Sequence, residues 1–157
     1  SVVNDAFANP VETDTTQLGT ELMFAITPIE SVTAKLFYIT EGDKEAINFW
    51  ASYSIDAFTF AGEYNTAEDT VFVGSEADGF LVMGNYAIGD FGFTLRYHAY
   101  EVEGPVGPAV TEMSGITFAP SYAVGDNLLL VAEYRMDEDD VSSIDTNTFA
   151  FEALFTF

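Results

Sequence analysis

The chain has 157 residues, 48% hydrophobic and 15% aromatic, with 26 Asp+Glu against four Lys+Arg and a formal net charge of -22. That apolar and aromatic content argues against disorder, the acidity argues against a nucleic-acid partner, and the lack of cysteine removes disulfides, thiol catalysis and thiolate metal sites. No apolar run approaches the ~20 residues of a membrane-spanning helix, which leaves open strands, for which about 9–11 residues suffice.

Residues 1–16 show neither the basic start nor the apolar core of a secretory signal. They are expected to be the end of an external loop or a partial strand, the alternative being a tenth strand over 1–8 that lets the object close by itself. From there, alternation predicts nine strands at about 17–27, 31–40, 46–55, 57–66, 79–88, 91–101, 113–123, 127–136 and 147–157. Each splits into two faces. In the fourth, Phe58, Phe60 and Tyr64 oppose Thr59, Glu63 and Asn65; in the sixth, Phe93, Leu95 and Tyr97 oppose Thr94, Arg96 and His98. The last sets Phe149, Phe151, Ala153, Phe155 and Phe157 against Thr148, Ala150, Glu152 and Thr156, with Leu154 the exception.

The connections alternate in character. Short turns are expected at Thr27-Pro28, Asp56, Gly89-Asp90 and Gly125-Asp126, each preceded by an aromatic, a small residue and Ile or Val. The aromatics of this repeat, Phe24, Tyr53, Tyr86 and Tyr122, are 29, 33 and 36 residues apart, about one hairpin plus a loop each. Longer acidic loops are expected at 41–45, 65–78, 101–112 and 137–145. The pattern is an up-and-down antiparallel meander.

Alternation alone does not separate a soluble sandwich, whose apolar faces meet in a core, from a membrane barrel, whose apolar face meets lipid. Three features favour the barrel. Tyr38, Tyr64, Tyr97, Tyr100 and Tyr134 cluster by the acidic loops, and Phe24, Tyr53, Tyr86, Tyr122 and Phe157 by the short turns, as two aromatic girdles. The polar face is rich in small residues and sparse in the lysine that guards soluble edges. The final strand carries four phenylalanines on one face.

The stretch Gly84-Asn-Tyr-Ala-Ile-Gly-Asp-Phe-Gly-Phe-Thr-Leu-Arg-Tyr97, the stretch Phe118-Ala-Pro-Ser-Tyr-Ala-Val-Gly-Asp-Asn-Leu-Leu-Leu-Val-Ala-Glu-Tyr-Arg135 and the Phe149–Phe157 ending together resemble the β-barrel porin family of Gram-negative outer membranes. The resemblance covers most of the chain from about Val3, and its motifs are hairpin patterns rather than catalytic signatures. It implies an all-β transmembrane up-and-down barrel in the bacterial outer membrane, one domain over residues 1–157 with its strands in 17–157. Members of the family are usually longer, so the chain looks like the C-terminal part of a larger barrel with strands upstream of Ser1. Phe149, Phe151, Phe155 and Phe157 match the family's C-terminal assembly signal, which implies the barrel-assembly machinery as a partner. Outer-membrane lipid and lipopolysaccharide are the other partners expected, with a homo-oligomer among the arrangements allowed.

By parity, Glu21, Lys35, Glu63, Arg96, His98, Glu133, Arg135 and Glu152 share the polar face and are the candidate pore-lining residues. They are read either as a charge filter for solutes or as a mutually neutralising network. His98, the one histidine, is read as an ordinary wall residue, because neither Ser114 nor Ser121 is spaced to act with it. Asp137, Asp139 and Asp140 are weak oxygen-ligand candidates in a run that reads better as a solvated loop, and no metal or other cofactor is expected. The reading is a non-enzymatic porin that lets small hydrophilic solutes or ions diffuse passively, with a mild cation preference from its acidic loops. The alternatives are a plugged barrel acting as an anchor through those loops and, behind it, an outer-membrane hydrolase.

Overall fold

The computed structural model describes residues 2–4, 18–107 and 109–156. Alternating sequence becomes ten strands: β1 (Val2–Asn4), β2 (Leu18–Ile29), β3 (Val32–Glu41), β4 (Lys44–Ile55), β5 (Phe58–Glu68), β6 (Glu76–Ile88), β7 (Phe91–Glu103), β8 (Thr111–Val124), β9 (Leu128–Asp139) and β10 (Ile144–Phe155). They form one sheet in chain order, every neighbouring pair antiparallel. The nine strands expected from alternation are β2–β10, with ends displaced by up to three residues. Of the segment expected to be a loop or partial strand, Val2–Asn4 lies within the described residues and pairs with Leu18–Thr20. Among the described residues β1 and β10 are the two edges and do not pair, so this sheet is open.

Two connections differ from expectation. Thr27-Pro28 is not a turn: the register slips between Ile26↔Ala34 and Ile29↔Val32, so the pair forms a bulge and the chain reverses at residues 30–31. Proline cannot donate to the ladder, and a bulge absorbs the missing bond. The acidic stretch 41–45 is not a long loop either. Glu41 pairs with Lys44, and Gly42, at φ 61°, makes a two-residue reversal that a β-carbon would strain.

The remaining connections keep the expected asymmetry. At one end of the sheet they span residues 30–31, 56–57, 89–90 and 125–127. At the other lie the tight 42–43 turn, two seven-residue loops (69–75 and 104–110) and the four residues 140–143. Loop 69–75 is closed on itself: Asp69 N–H donates to the Ser75 carbonyl at 2.8 Å, and Ser75 Oγ accepts from Val71 and Phe72 N–H at 3.3 Å each.

The faces are inside-out relative to a soluble domain. The one buried hydrophobic side chain among the described residues is Val102, whereas Glu41, Ser75, Thr117 and Asp137 are buried. Over the first eight residues of β7 the exposed ones are Phe91, Phe93, Leu95 and Tyr97, while Gly92 is buried and Thr94, Arg96 and His98 are partly shielded. The polar face therefore lies on the sheltered side of a curling sheet, and the phenylalanine face is presented outward. Rings pack laterally across that outer face, as in Phe58–Tyr86 (centroids 4.7 Å apart) and Phe91–Tyr122 (4.8 Å). One expected girdle member is misplaced: Tyr100 has the parity of Arg96 and His98, and lies on the polar face with its hydroxyl 2.8 Å from Met113 sulfur.

Candidate functional site

Register carries the polar side chains of successive strands into one continuous wall. A single cross-strand row runs Lys35, Trp50, Glu63, Leu81, His98, Gly115 and Asp137 from β3 to β9. The neighbouring row places Ser52, Ala61, Met83, Arg96, Thr117 and Arg135 side by side. All eight residues selected by parity (Glu21, Lys35, Glu63, Arg96, His98, Glu133, Arg135 and Glu152) fall on this face. They are not one cluster. Glu21 lies near the loop end of β2, and Glu152 is on the edge strand β10, opposite Val131.

Two groups form within the wall. On β3–β5, the Lys35 ammonium lies 5.3 Å from the Trp50 ring centre, and Asn48 donates to Glu63 at 2.6 Å and to Asn65. On β7–β9, Arg96 reaches Glu133 at 3.4 Å and Thr117 Oγ1 at 3.3 Å, while Arg135 Nε donates to Asp137 at 2.6 Å. His98 Nε2 faces the other Asp137 oxygen at 3.4 Å. Between the groups, Gly79 leaves a hollow of about 370 Å³ bordered by Glu63, Asn65, Arg96, His98, Tyr100 and Arg135. Such a surface, with alternating charge and amide groups, offers water and small polar solutes many partners and no deep apolar pocket.

Asp137 is the residue that alternation should have assigned to the wall. It shares the parity of Arg135 two positions earlier, but the acidic run that follows places it, by composition, in a solvated loop. In the structure it is buried beneath Arg135 and His98, because β9 continues to Asp139. Asp139 spends its carboxylate on the following turn, accepting from the Ser142 hydroxyl at 2.6 Å, then from the Ser142 and Val141 N–H groups, bonds that hold it below the usual carboxylate range. Asp137, Asp139 and Asp140 do not converge, and no group of three metal-ligating side chains occurs among the described residues. Gly115 and Thr117 were also missed, since neither type announces chemistry. As for a nucleophile, Ser114 lies on the opposite face from His98, and Ser121 is six residues along β8 from the His98 partner Gly115, ~20 Å in an extended strand.

The outer face has its own order. From β4 to β10 the apolar positions end, on the loop side, at a carboxylate in every strand: Glu45, Glu68, Asp78, Glu101, Glu112, Glu138 and Asp145. The four Lys and Arg side chains all have the parity of the polar face, so none stands in this rim. Glu101, beyond the apolar band, has its carboxyl pushed up by desolvation and then by Glu103, Glu112 and Asp78. On β10, Phe149, Phe151 and Phe155 are strongly exposed on the outer face, while Phe157 lies outside the described residues.

A profile described as Gram-negative porin matches residues 3–142. No curated protein matches the chain. Among solved structures, the sheet resembles OmpT, an outer membrane protein of Vibrio cholerae folded in vitro and seen in trimer form. The TM-score is 0.63 at 19% identity, over 85% of this chain and 48% of that one, so the present chain spans about half the length of its neighbour. The strands are those of an all-β outer-membrane barrel from a Gram-negative bacterium.

Proposed function

The chain belongs to the Gram-negative porin family, and from that premise we propose that it forms part of the wall of a passive diffusion pore for small hydrophilic solutes and ions. The inside-out distribution of side chains supports this reading most directly: apolar residues outward in each strand, ionisable and amide groups on the sheltered face. The pore-lining set is Lys35, Glu63, Arg96, His98, Glu133 and Arg135, joined by Asn65, Thr117 and Asp137, with Glu21 and Glu152 toward the strand ends and sheet edge. The wall performs no reaction. It replaces part of a solute's hydration and sorts by size and charge.

The preference is mildly for cations. The formal charge of -22 is concentrated in carboxylates at the loop end, and their field enriches cations within a Debye length of ~8–10 Å. The outer apolar face contacts lipid, with lipopolysaccharide meeting the acidic rim. The C-terminal strand engages the assembly machinery through Phe149, Phe151, Phe155 and Phe157, and homo-oligomers form through the outer wall. The described sheet would then be one section of a single barrel domain that is completed by further strands.

Planar-bilayer recording of the detergent-purified, full-length protein under a salt gradient tests the function. Stable open steps with a cation-leaning reversal potential are expected. Silence from folded, inserted protein would instead favour a plugged anchor.

A further inference from the structure

His98 and Asp137 belong to strands that are not neighbours, β7 and β9, yet their side chains meet. They can do so because the residue between them is Gly115. A β-carbon at Gly115 would lie 2.3 Å from Asp137 Oδ1, 2.7 Å from His98 Cε1 and 2.9 Å from the Met136 carbonyl. The notch lets Asp137 sink until its side chain is 2% exposed. One carboxylate oxygen is taken by Arg135 Nε at 2.6 Å. The other, Oδ1, is buried with no hydrogen-bond partner of good geometry, and the group facing it at 3.4 Å is His98 Nε2. A buried carboxylate oxygen lacking a donor is costly, and a protonated imidazole is the donor placed to supply one.

The other groups around His98 set what its proton would change. Arg96 and Tyr100 flank it on β7, with Arg96 held by Glu133. On β6 its partner is Leu81, beyond which Glu63 of β5 faces the same hollow. On β8 it meets Gly115 between Met113 and Thr117, none of them charged. On β9 it meets Asp137, with Arg135 and Asp139 on either side. Around the hollow, Glu63, Glu133 and Asp137 stand against Arg96 and Arg135, so the patch carries one net negative charge with a neutral imidazole and none with an imidazolium.

We propose that His98, seated across Gly115 from buried Asp137, is a specificity-determining residue of the pore whose protonation lowers its preference for cations. The inference rests on the pore reading above. With the imidazole neutral, the wall patch attracts cations. Once it is protonated, His98 closes on Asp137 and cancels the patch's net charge. A unit charge seen through water from ~7 Å alters the partition of a monovalent ion by about threefold, so the change is graded and does not shut the pore. Histidine is the side chain whose charge is ordinarily poised to change near neutral pH, and this chain has one.

The test is the reversal potential of full-length protein in planar bilayers under a potassium chloride gradient, at about pH 7.5 and about pH 5.5, for native and His98→Gln proteins. Native protein should lose about sevenfold in cation-over-anion permeability on acidification, the loss for the cation multiplied by the matching gain for the anion, and His98→Gln should lose clearly less. Equal pH dependence in the two, through open pores, would overturn the role of His98 and leave the pore reading standing. An absence of current from inserted protein would remove both. A second measurement does not depend on conduction: the nitrogen resonances of the His98 imidazole in micelles, followed against pH. Asp137→Asn should change the Nε2 resonance of the protonated imidazole by removing the facing carboxylate, and an unchanged resonance would overturn the contact.

Discussion

Tyr97 of β7 lies two residues nearer the short-turn end than Ala99, the residue in register with Tyr64 of β5. The same step relates Tyr64 to Tyr38 of β3 and Tyr134 of β9 to Tyr97. It recurs at the other margin in Tyr53, Tyr86, Tyr122 and Phe155. Two residues per two strands is a stagger of one residue per strand, which for a ~3.3 Å rise and ~4.8 Å strand spacing levels the rings when strands tilt by about 35°. At that tilt the apolar outer positions of β7, Phe91 to Ala99, cover ~22 Å of membrane normal, close to the ~25 Å band of outer-membrane barrels.

A charge placed in that band should therefore be expensive. Phe60→Arg, at an outward and half-exposed site, should lower stability by about 2–4 kcal/mol, measured by urea unfolding in lipid vesicles. Thr59→Arg, one residue away on the polar face, should cost far less. Equal costs would mean that the two faces do not differ in environment.

Gly115 should tolerate no side chain. Gly115→Ala must displace Asp137 or His98 and is expected to cost about 1–3 kcal/mol in the same assay. Gly89→Ala has open space around it and is opposed mainly by its φ of 58°, so its cost should be smaller, about 1 kcal/mol.

The Arg96–Glu133 pair should contribute little to stability. Its closest approach is 3.4 Å and its side chains are 30% and 32% exposed, so a double-mutant cycle should return a coupling below about 1 kcal/mol. A much larger coupling would show that the wall is drier than this exposure implies. The pair's effect belongs in selectivity rather than folding.

The turn after β9 depends on Asp139. Asp139→Ala removes the acceptor of the Val141 and Ser142 amides, and hydrogen exchange at both should accelerate by roughly tenfold. Protection that survives the substitution would show that the backbone alone sets this turn.

The proposed assembly role of the C-terminal aromatics predicts that Phe157→Ser lowers surface levels without affecting synthesis. Unchanged surface levels would count against it.

Much of this organisation is legible in the sequence because β-structure with two different solvents writes a period of two. Arg96 and His98 are placed correctly by counting alone, as are Phe149, Phe151 and Phe155. The misreadings arise where composition outweighs parity. Composition groups Asp137 with the acids that follow it, although its parity with Arg135 fixes its face. Residue type groups Tyr100 with the other tyrosines, although its parity with Arg96 and His98 on β7 places it on the polar face. Thr27-Pro28 carries turn residues, yet a bulge uses them equally well. What no pattern in one strand reveals is the approach of His98 to Asp137, which exists because Gly115 stands between them in register two strands across.

The most direct test of the central claim, that the polar face lines water and the apolar face meets lipid, exploits the chain's lack of cysteine. Single cysteines at Glu63 and at Leu95 would be exposed, in inserted protein, to a membrane-impermeant charged methanethiosulfonate during conductance recording. The account predicts rapid labelling at Glu63→Cys with a step in conductance, and no reaction at Leu95→Cys. Reaction at Leu95→Cys with silence at Glu63→Cys would reverse the faces and contradict the account.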